Sequence, residues 1–253
     1  MGIIPEIKAV PSLASEAKVL LLETSGSSGI VALGFGTTIV AHRVLEIAKR
    51  HVSDMAPAIA EMLKECGWEA KNLDAIATGI GPGSYTGLRI GLMSARTLAM
   101  MTGARLLGIS TFEILAQHCL EVGHAKVEII ADAQQDKIYA QRFENNNSQL
   151  VSASELKIVS TAEWIANRDI SFAIAGPGLP KVQPLLSDSQ GMVVEQSGNI
   201  NKESFLALAL KKLMRHDSDD PLSLQPLYLR RSSAEEQWDK RIADKANRES
   251  KSQ

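Results

Sequence analysis

Residues 79–91 read Gly-Ile-Gly-Pro-Gly-Ser-Tyr-Thr-Gly-Leu-Arg-Ile-Gly, the stretch of this chain most able to do chemistry through its backbone. Glycines at 81, 83 and 87 permit a tight path after a strand, and Ser84 or Thr86 can cap the helix that follows. Amides exposed at such a helix start can hold an anion. An elbow without any ligand satisfies the same pattern. The run is not a Walker loop, because the Gly-Lys-Ser/Thr ending is missing, and it does not match Gly-x-Gly-x-x-Gly. Histidines stand at 42, 51, 118, 124 and 216, with no HxxxH or HExxH spacing among them, so a zinc-peptidase site is excluded. Cys66 and Cys119 lie far apart with no CxxC pairing, as two reduced, buried thiols would.

The elements that must carry these residues follow from hydrophobic period and turn chemistry. Strands are expected at 19–23, 30–35 and 38–45, punctuated by the turn 25–29 and by Gly36. Ser53 can cap a helix over 53–66, in which Met55, Ile59, Met62, Leu63 and Cys66 recur at helical spacing; Pro57 then falls in or near its first turn. A strand at 74–80 leads through the glycine turn 81–87 into a helix over 88–102. Another strand at 106–109 precedes a helix over 111–122, with Ser110 as cap and Glu113 as capping-box partner. A second set follows: strands at 127–131 and 138–143, a polar turn at 144–148, a helix at 162–168 and a strand at 172–175. After the turn Gly176-Pro177-Gly178 come a helix over 202–215 and a strand-like stretch at 227–229. The loose recurrence of a meander followed by helices and strands fits two lobes, 18–123 and 124–231, between a flexible extension at 1–17 and a polar, solvated or disordered tail at 232–253.

The chain has 253 residues, 45% hydrophobic and 22% charged, enough for a large core. Its longest apolar stretches fall far short of the roughly 20 residues that cross a bilayer. The first 18 residues lack a compact apolar block with a basic flank, so a cytoplasmic location is expected. A formal net charge of −2 argues against a chain that holds RNA by itself, while leaving a local basic patch open.

Taken whole, residues 79–91 resemble the Gly-Pro-Gly-Ser-Phe-Thr-Gly-x-Arg-Ile-Gly signature of the TsaB (YeaZ) family, with Tyr85 in place of Phe. The signature loop is Gly81, Pro82, Gly83, Ser84, Tyr85, Thr86, Gly87 and Arg89. Further matches run in order: Leu21-Leu22-Glu23-Thr24-Ser25 (with Glu23 where the family has Asp), His51, Gly108-Ile109-Ser110-Thr111, Asp132-Ala133 through Tyr139, and Leu227-Tyr228-Leu229-Arg230. The resemblance spans about 18–231 and is thin between 145 and 225. It implies an α/β, two-lobed actin-like or Hsp70-like ATPase fold, built from duplicated ribonuclease-H-like lobes, with a degenerate active site.

It also implies a non-catalytic subunit of the complex that forms N6-threonylcarbamoyladenosine at position 37 of tRNAs reading codons that begin with A. The expected partners are TsaD, TsaE in the larger complex, and a second copy when the chain is alone; tRNA is contacted only indirectly. Catalytic TsaD carries two metal-binding imidazoles four residues apart. The corresponding positions here are Thr111 and Leu115, and leucine has no donor atom. No metal and no cofactor of its own are expected, with ADP or ATP confined to a complex interface. Glu23, Thr24, Ser25, Asp132, Gly176 and Gly178 match the nucleotide-binding elements of the superfamily as remnants. The helix over 88–102 is apolar or small on nearly every face and needs a cover; a core helix satisfies this as well as an interface helix. The resemblance favours the interface, formed with the helix over 53–66 through His51, Met55, Ile59, Met62, Gly91, Ala95, Leu98 and Thr102. Two rivals remain: an active nucleotide-dependent transferase or glycoprotease-like enzyme of the same fold, and an independent homodimeric binding protein.

Overall fold

Residues 19–22 have no solvent exposure at all, which a strand achieves when both of its faces are covered. A computed structural model, describing residues 7–11, 14–46, 51–147, 149–187, 191–194 and 197–229, places them at the centre of a five-stranded sheet. β1 (Lys18–Glu23), β2 (Ser28–Phe35) and β3 (Thr38–Glu46) form the expected antiparallel meander. β4 (Ala75–Gly79) and β5 (Arg105–Ile109) join in parallel on the other side, in the order β3-β2-β1-β4-β5. Parallel pairing requires crossovers, and α1 (His51–Glu65) and α2 (Tyr85–Thr102) supply them.

Both helices cover one face. Leu20, Leu22, Val31, Leu33 and Ile76 meet Met55, Ile59, Met62, Ala95 and Ala99 there. α1 begins at His51 rather than at a Ser53 cap, so Pro57 lies inside the helix and removes the bond to the carbonyl of residue 53. α2 begins at Tyr85, three residues before the apolar run, because Ser84 caps it by accepting from the Gly87 N–H at 3.2 Å. α3 (Thr111–Glu121) is shared: Ile114 belongs to the first core, while Phe112, Leu115 and Cys119 belong to the second. Its expected capping box is incomplete, since the Ser110 hydroxyl donates to the Gly81 carbonyl instead.

The second lobe comprises β6 (Lys126–Gln134), β7 (Lys137–Asn146), β8 (Gln149–Ser152), β9 (Lys157–Ser160), α4 (Thr161–Ala166), β10 (Ala173–Ala175) and α5 (Leu179–Val182). Its sheet runs β10-β6-β7-β8, with β9 also on β7 and β10 parallel to β6. An antiparallel meander and then a strand parallel to its first member repeats the topology of the first lobe, so the two-lobed, duplicated ribonuclease-H-like architecture stands. β8 and β9 have no counterpart in the sequence reading: each has four residues and buries none, so neither carries an apolar alternation.

The expected lobe boundary needs correction. α6 (Lys202–Met214) returns to the first lobe, where Phe205, Leu206, Ala209 and Leu213 cover the other face of the first sheet against Val19, Leu21, Ala32 and Leu107. Its amphipathic pattern shows that it needs a sheet, without saying which. The chain then straps the edge of β5: the Asp219 N–H donates to the Leu106 carbonyl at 2.8 Å, and the Asp219 carboxylate accepts from the Gly108 N–H and from Lys212 Nζ, both at 2.7 Å. Residues 227–229 form no strand; the Leu227 N–H donates to the Ile80 carbonyl at 2.8 Å. Within the segment expected as an extension, Ala17 is buried, and Lys8 reaches the carbonyl of Leu73 at 2.7 Å and pairs its own N–H with Gly103. Arg230 and the tail 232–253 lie outside the described residues. Among the described residues, no helix is long and apolar enough to cross a membrane.

Candidate functional site

β1 ends in Glu23, and what surrounds that carboxyl explains the glycine signature. A Cβ at Gly79 would collide with the Glu23 carboxylate, one at Gly83 with Ser25, and one at Gly87 or Gly91 with Thr24. The four glycines, spaced every fourth residue, thus clear a channel through which 23–25 passes. Hydrogen bonds fix the fit: Thr24 Oγ1 donates to the Gly87 carbonyl at 2.7 Å, and the Ser84 N–H donates to the Ser25 carbonyl at 2.7 Å. The signature is a backbone clasp, and α2 starts from it.

Glu23 is 1% exposed. Its Oε1 accepts from the Ser25 N–H at 2.6 Å and its Oε2 from Thr111 Oγ1 at 2.9 Å; Thr111 Oγ1 also lies 3.3 Å from Ser25 Oγ. Burial pushes this carboxyl above the ordinary glutamate range, and the bonds from Ser25 and Thr111 offset that only in part. Glu23 is therefore a buried acid that holds its proton more tightly than an exposed glutamate.

In front of the clasp lies a cleft of about 1120 Å³ between the lobes. One wall is Ser25 to Ser28 with Pro82 to Thr86, the other Ala131 to Gln134 with Pro177 and Asn199, and Thr111, Phe112 and Leu115 form the floor. Among the described residues, Asp132 is the one charged side chain on this lining. It is about half exposed and ion-paired with Lys181 Nζ at 2.7 Å. Glu23 does not reach the lining, so the two acidic remnants do not form a pair. Among the described residues, no three His, Cys, Asp or Glu side chains come together as a metal site. Gly176 and Gly178 press onto β6, the Gly178 N–H donating to the Ile130 carbonyl at 2.9 Å; of that turn, Pro177 alone faces the cleft. Leu115 is 1% exposed within the second core. Cys119 is buried and its thiol is pushed up to about 11, and burial also raises the half-buried Cys66, so neither is an activated nucleophile.

The expected interface residues separate by face. Met55, Ile59, Met62 and Ala95 are at most 5% exposed and pack on the first sheet, with Gly91 buried beside them. They are core, which corrects their assignment to a docking face. The small residues let α2 approach the sheet rather than a partner. Leu98 and Thr102 are half-buried. His51 opens α1, and its side chain lies outside the described residues. Beyond its first five residues, where Thr86 and Arg89 are exposed, α2 exposes Met93, at 55%, Thr97, and Met101, at 73%.

One grouping escaped the sequence reading. Tyr85, from the glycine signature, and Tyr228, from the late Leu227-Tyr228-Leu229-Arg230 motif, pack with ring centroids 4.7 Å apart and planes tilted by 32°. Arg89 lies over the Tyr85 ring at 4.1 Å and donates to both phenol oxygens, to Tyr228 at 3.2 Å. Both motifs were legible; their meeting depends on the strap after α6.

Comparison with known proteins converges on one pathway. The family model described as TsaD, tRNA N6-adenosine threonylcarbamoyltransferase, matches residues 39–238. The chain is similar to the tRNA threonylcarbamoyladenosine biosynthesis protein TsaB of Bacillus subtilis, 26% identical over 226 residues, which cover 87% of this chain and 97% of that protein. The TsaB protein of Escherichia coli is 25% identical over 224 residues, covering 86% and 96%. The solved structure of YeaZ from Pseudomonas aeruginosa superposes with a TM-score of 0.74 at 26% identity, covering 84% of this chain and all of that one.

Proposed function

The chain belongs to the TsaB (YeaZ) branch of the tRNA N6-adenosine threonylcarbamoyltransferase family, and on that premise we propose that it is a non-catalytic subunit for threonylcarbamoyladenosine synthesis, a scaffold or activator that docks to TsaD and works with TsaE. The observation that carries this reading is what became of residues 111 and 115. The resemblance to catalytic TsaD puts metal-binding imidazoles at these positions. Here Thr111 directs its hydroxyl to Glu23, and Leu115 is packed in the core.

The adjoining cleft supports the same reading. Among the described residues its one charged lining side chain is an aspartate already held in an ion pair with Lys181, so the lining itself brings no positive charge to a polyphosphate. We therefore assign the chain no bond chemistry and no cofactor of its own; ADP or ATP would need cationic groups from a partner. The surface offered to TsaD is the outward stripe of α2 around Met93 and Met101, where exposed methionines give an adaptable contact. A second copy of the chain occupies the same stripe when TsaD is absent.

Reconstitution tests the proposal. Purified TsaD, TsaE and the adenylate-forming enzyme are assayed for modified tRNA with and without this chain, and modification is expected to depend on it. Equal modification in its absence ends the scaffold reading. Modification by this chain without TsaD replaces it with an enzyme.

A further inference from the structure

We propose that Tyr85, Arg89 and Tyr228 form a platform on which one unpaired base of a single-stranded RNA stacks, so that this chain touches RNA directly. The inference rests on the reading that the chain works in tRNA modification, and it revises the expectation of indirect contact.

The platform is preorganised. Arg89 donates to both phenol oxygens, so the two rings and the guanidinium stand as one unit. Tyr228 is 40% exposed, which leaves ring surface open at the mouth of the cleft. Aromatic faces accept any base without reading its edge. Charge then decides between a base and a polyphosphate. Among the described residues the cleft lining carries no positive side chain, and its one charged residue, Asp132, is ion-paired with Lys181, so a polyphosphate finds no neutralising group on the lining. Positive charge lies instead on the platform itself, in Arg89, and farther along α2 in Arg96, which is tied to the strap through the Leu222 carbonyl at 3.0 Å. A ring at the mouth with backbone phosphates kept outside is how single-stranded RNA presents a splayed base.

One platform means few phosphate contacts. The net charge of −2 fits this, and the salt dependence is expected to be shallow, with a slope of about −0.7 for each phosphate engaged.

The test uses the full chain and a short hairpin RNA whose loop carries 2-aminopurine, a base whose fluorescence falls on stacking. Wild type is expected to quench the probe. Tyr228→Phe keeps the ring and should quench as well, whereas Tyr228→Ala should weaken the quenching titration by about tenfold. Co-elution of each variant with TsaD is measured alongside and is expected to be unchanged. Absence of quenching by wild type, equal quenching by Tyr228→Ala, or equal binding of a fully paired duplex overturns the proposal. Loss of TsaD co-elution in Tyr228→Ala assigns the rings to the protein interface and also overturns it. Dependence of modification on the chain is a separate readout, so failure of the base contact and failure of the scaffold reading remain distinguishable.

Discussion

Among the described residues no cation pairs with Glu23, and its raised affinity for a proton has a definite consequence for stability. Above the ordinary glutamate range, near pH 4.3, the unfolded chain has released a proton that the folded chain still holds. Stability contributed by this group is complete below that range and is lost as pH rises through the folded value. Glu23→Gln, which keeps the volume, should flatten this part of the profile, and chemical denaturation at a series of pH values would show it. If the mutant and wild-type profiles fall in parallel, the carboxyl is not the cause. Thr111→Val removes the donor to Oε2 and should cost about 1–3 kcal/mol, the penalty of an unpaired buried polar group. Gly87→Ala sets two effects against each other. Alanine favours the helix by roughly 0.8–1.0 kcal/mol, but its Cβ enters the Thr24 carbonyl, and overpacking costs typically 1–3 kcal/mol or more. Net destabilisation should appear as a lower Tm. The glycine spacing was legible in the sequence; that it makes room for 23–25 was not, because the crowding strand lies more than 50 residues away.

At the scale of elements, α2 shows why the interface reading had to be divided. A helix advances about 100° per residue, so Met93 lies about 200° from Gly91 and points away from the sheet that Gly91 and Ala95 approach. With apolar side chains on both sides, period alone could not show which stripe was buried. Ala95→Asp should therefore unfold the chain, through an unpaired charge in the core. Met93→Asp should leave stability within about 0.5 kcal/mol and weaken co-elution with TsaD; unchanged co-elution of Met93→Asp together with Met101→Asp would remove α2 from the interface. The strands β1, β2, β3 and β6 could be read from their apolar runs between turns. β8 and β9 could not, since their pairing with β7 comes from the backbone and leaves no mark on side-chain type.

For the molecule as a whole, the duplicated meander was visible in the sequence, but the ownership of α6 was not. Helix propensity and amphipathicity are local, whereas the choice between two sheets is made by packing. Truncation after residue 200 should expose the α6 face of the first sheet, where Val19, Leu21 and Leu107 lie. Limited proteolysis is then expected to cut the first lobe and spare the second, the reverse of what two lobes divided at residue 123 would give.

The return of α6 also orders events during synthesis. Every strand of the second sheet leaves the ribosome before α6 does, so the lobe begun second can close first. The lobe begun first waits with one side of its sheet bare for the roughly 90 residues from α3 to α6, a delay of about 5–20 s at ordinary elongation rates. During that interval the nascent chain is one finished unit joined to an apolar surface, a natural client for a holding chaperone, and a ribosome stalled inside the second lobe would release an aggregation-prone chain.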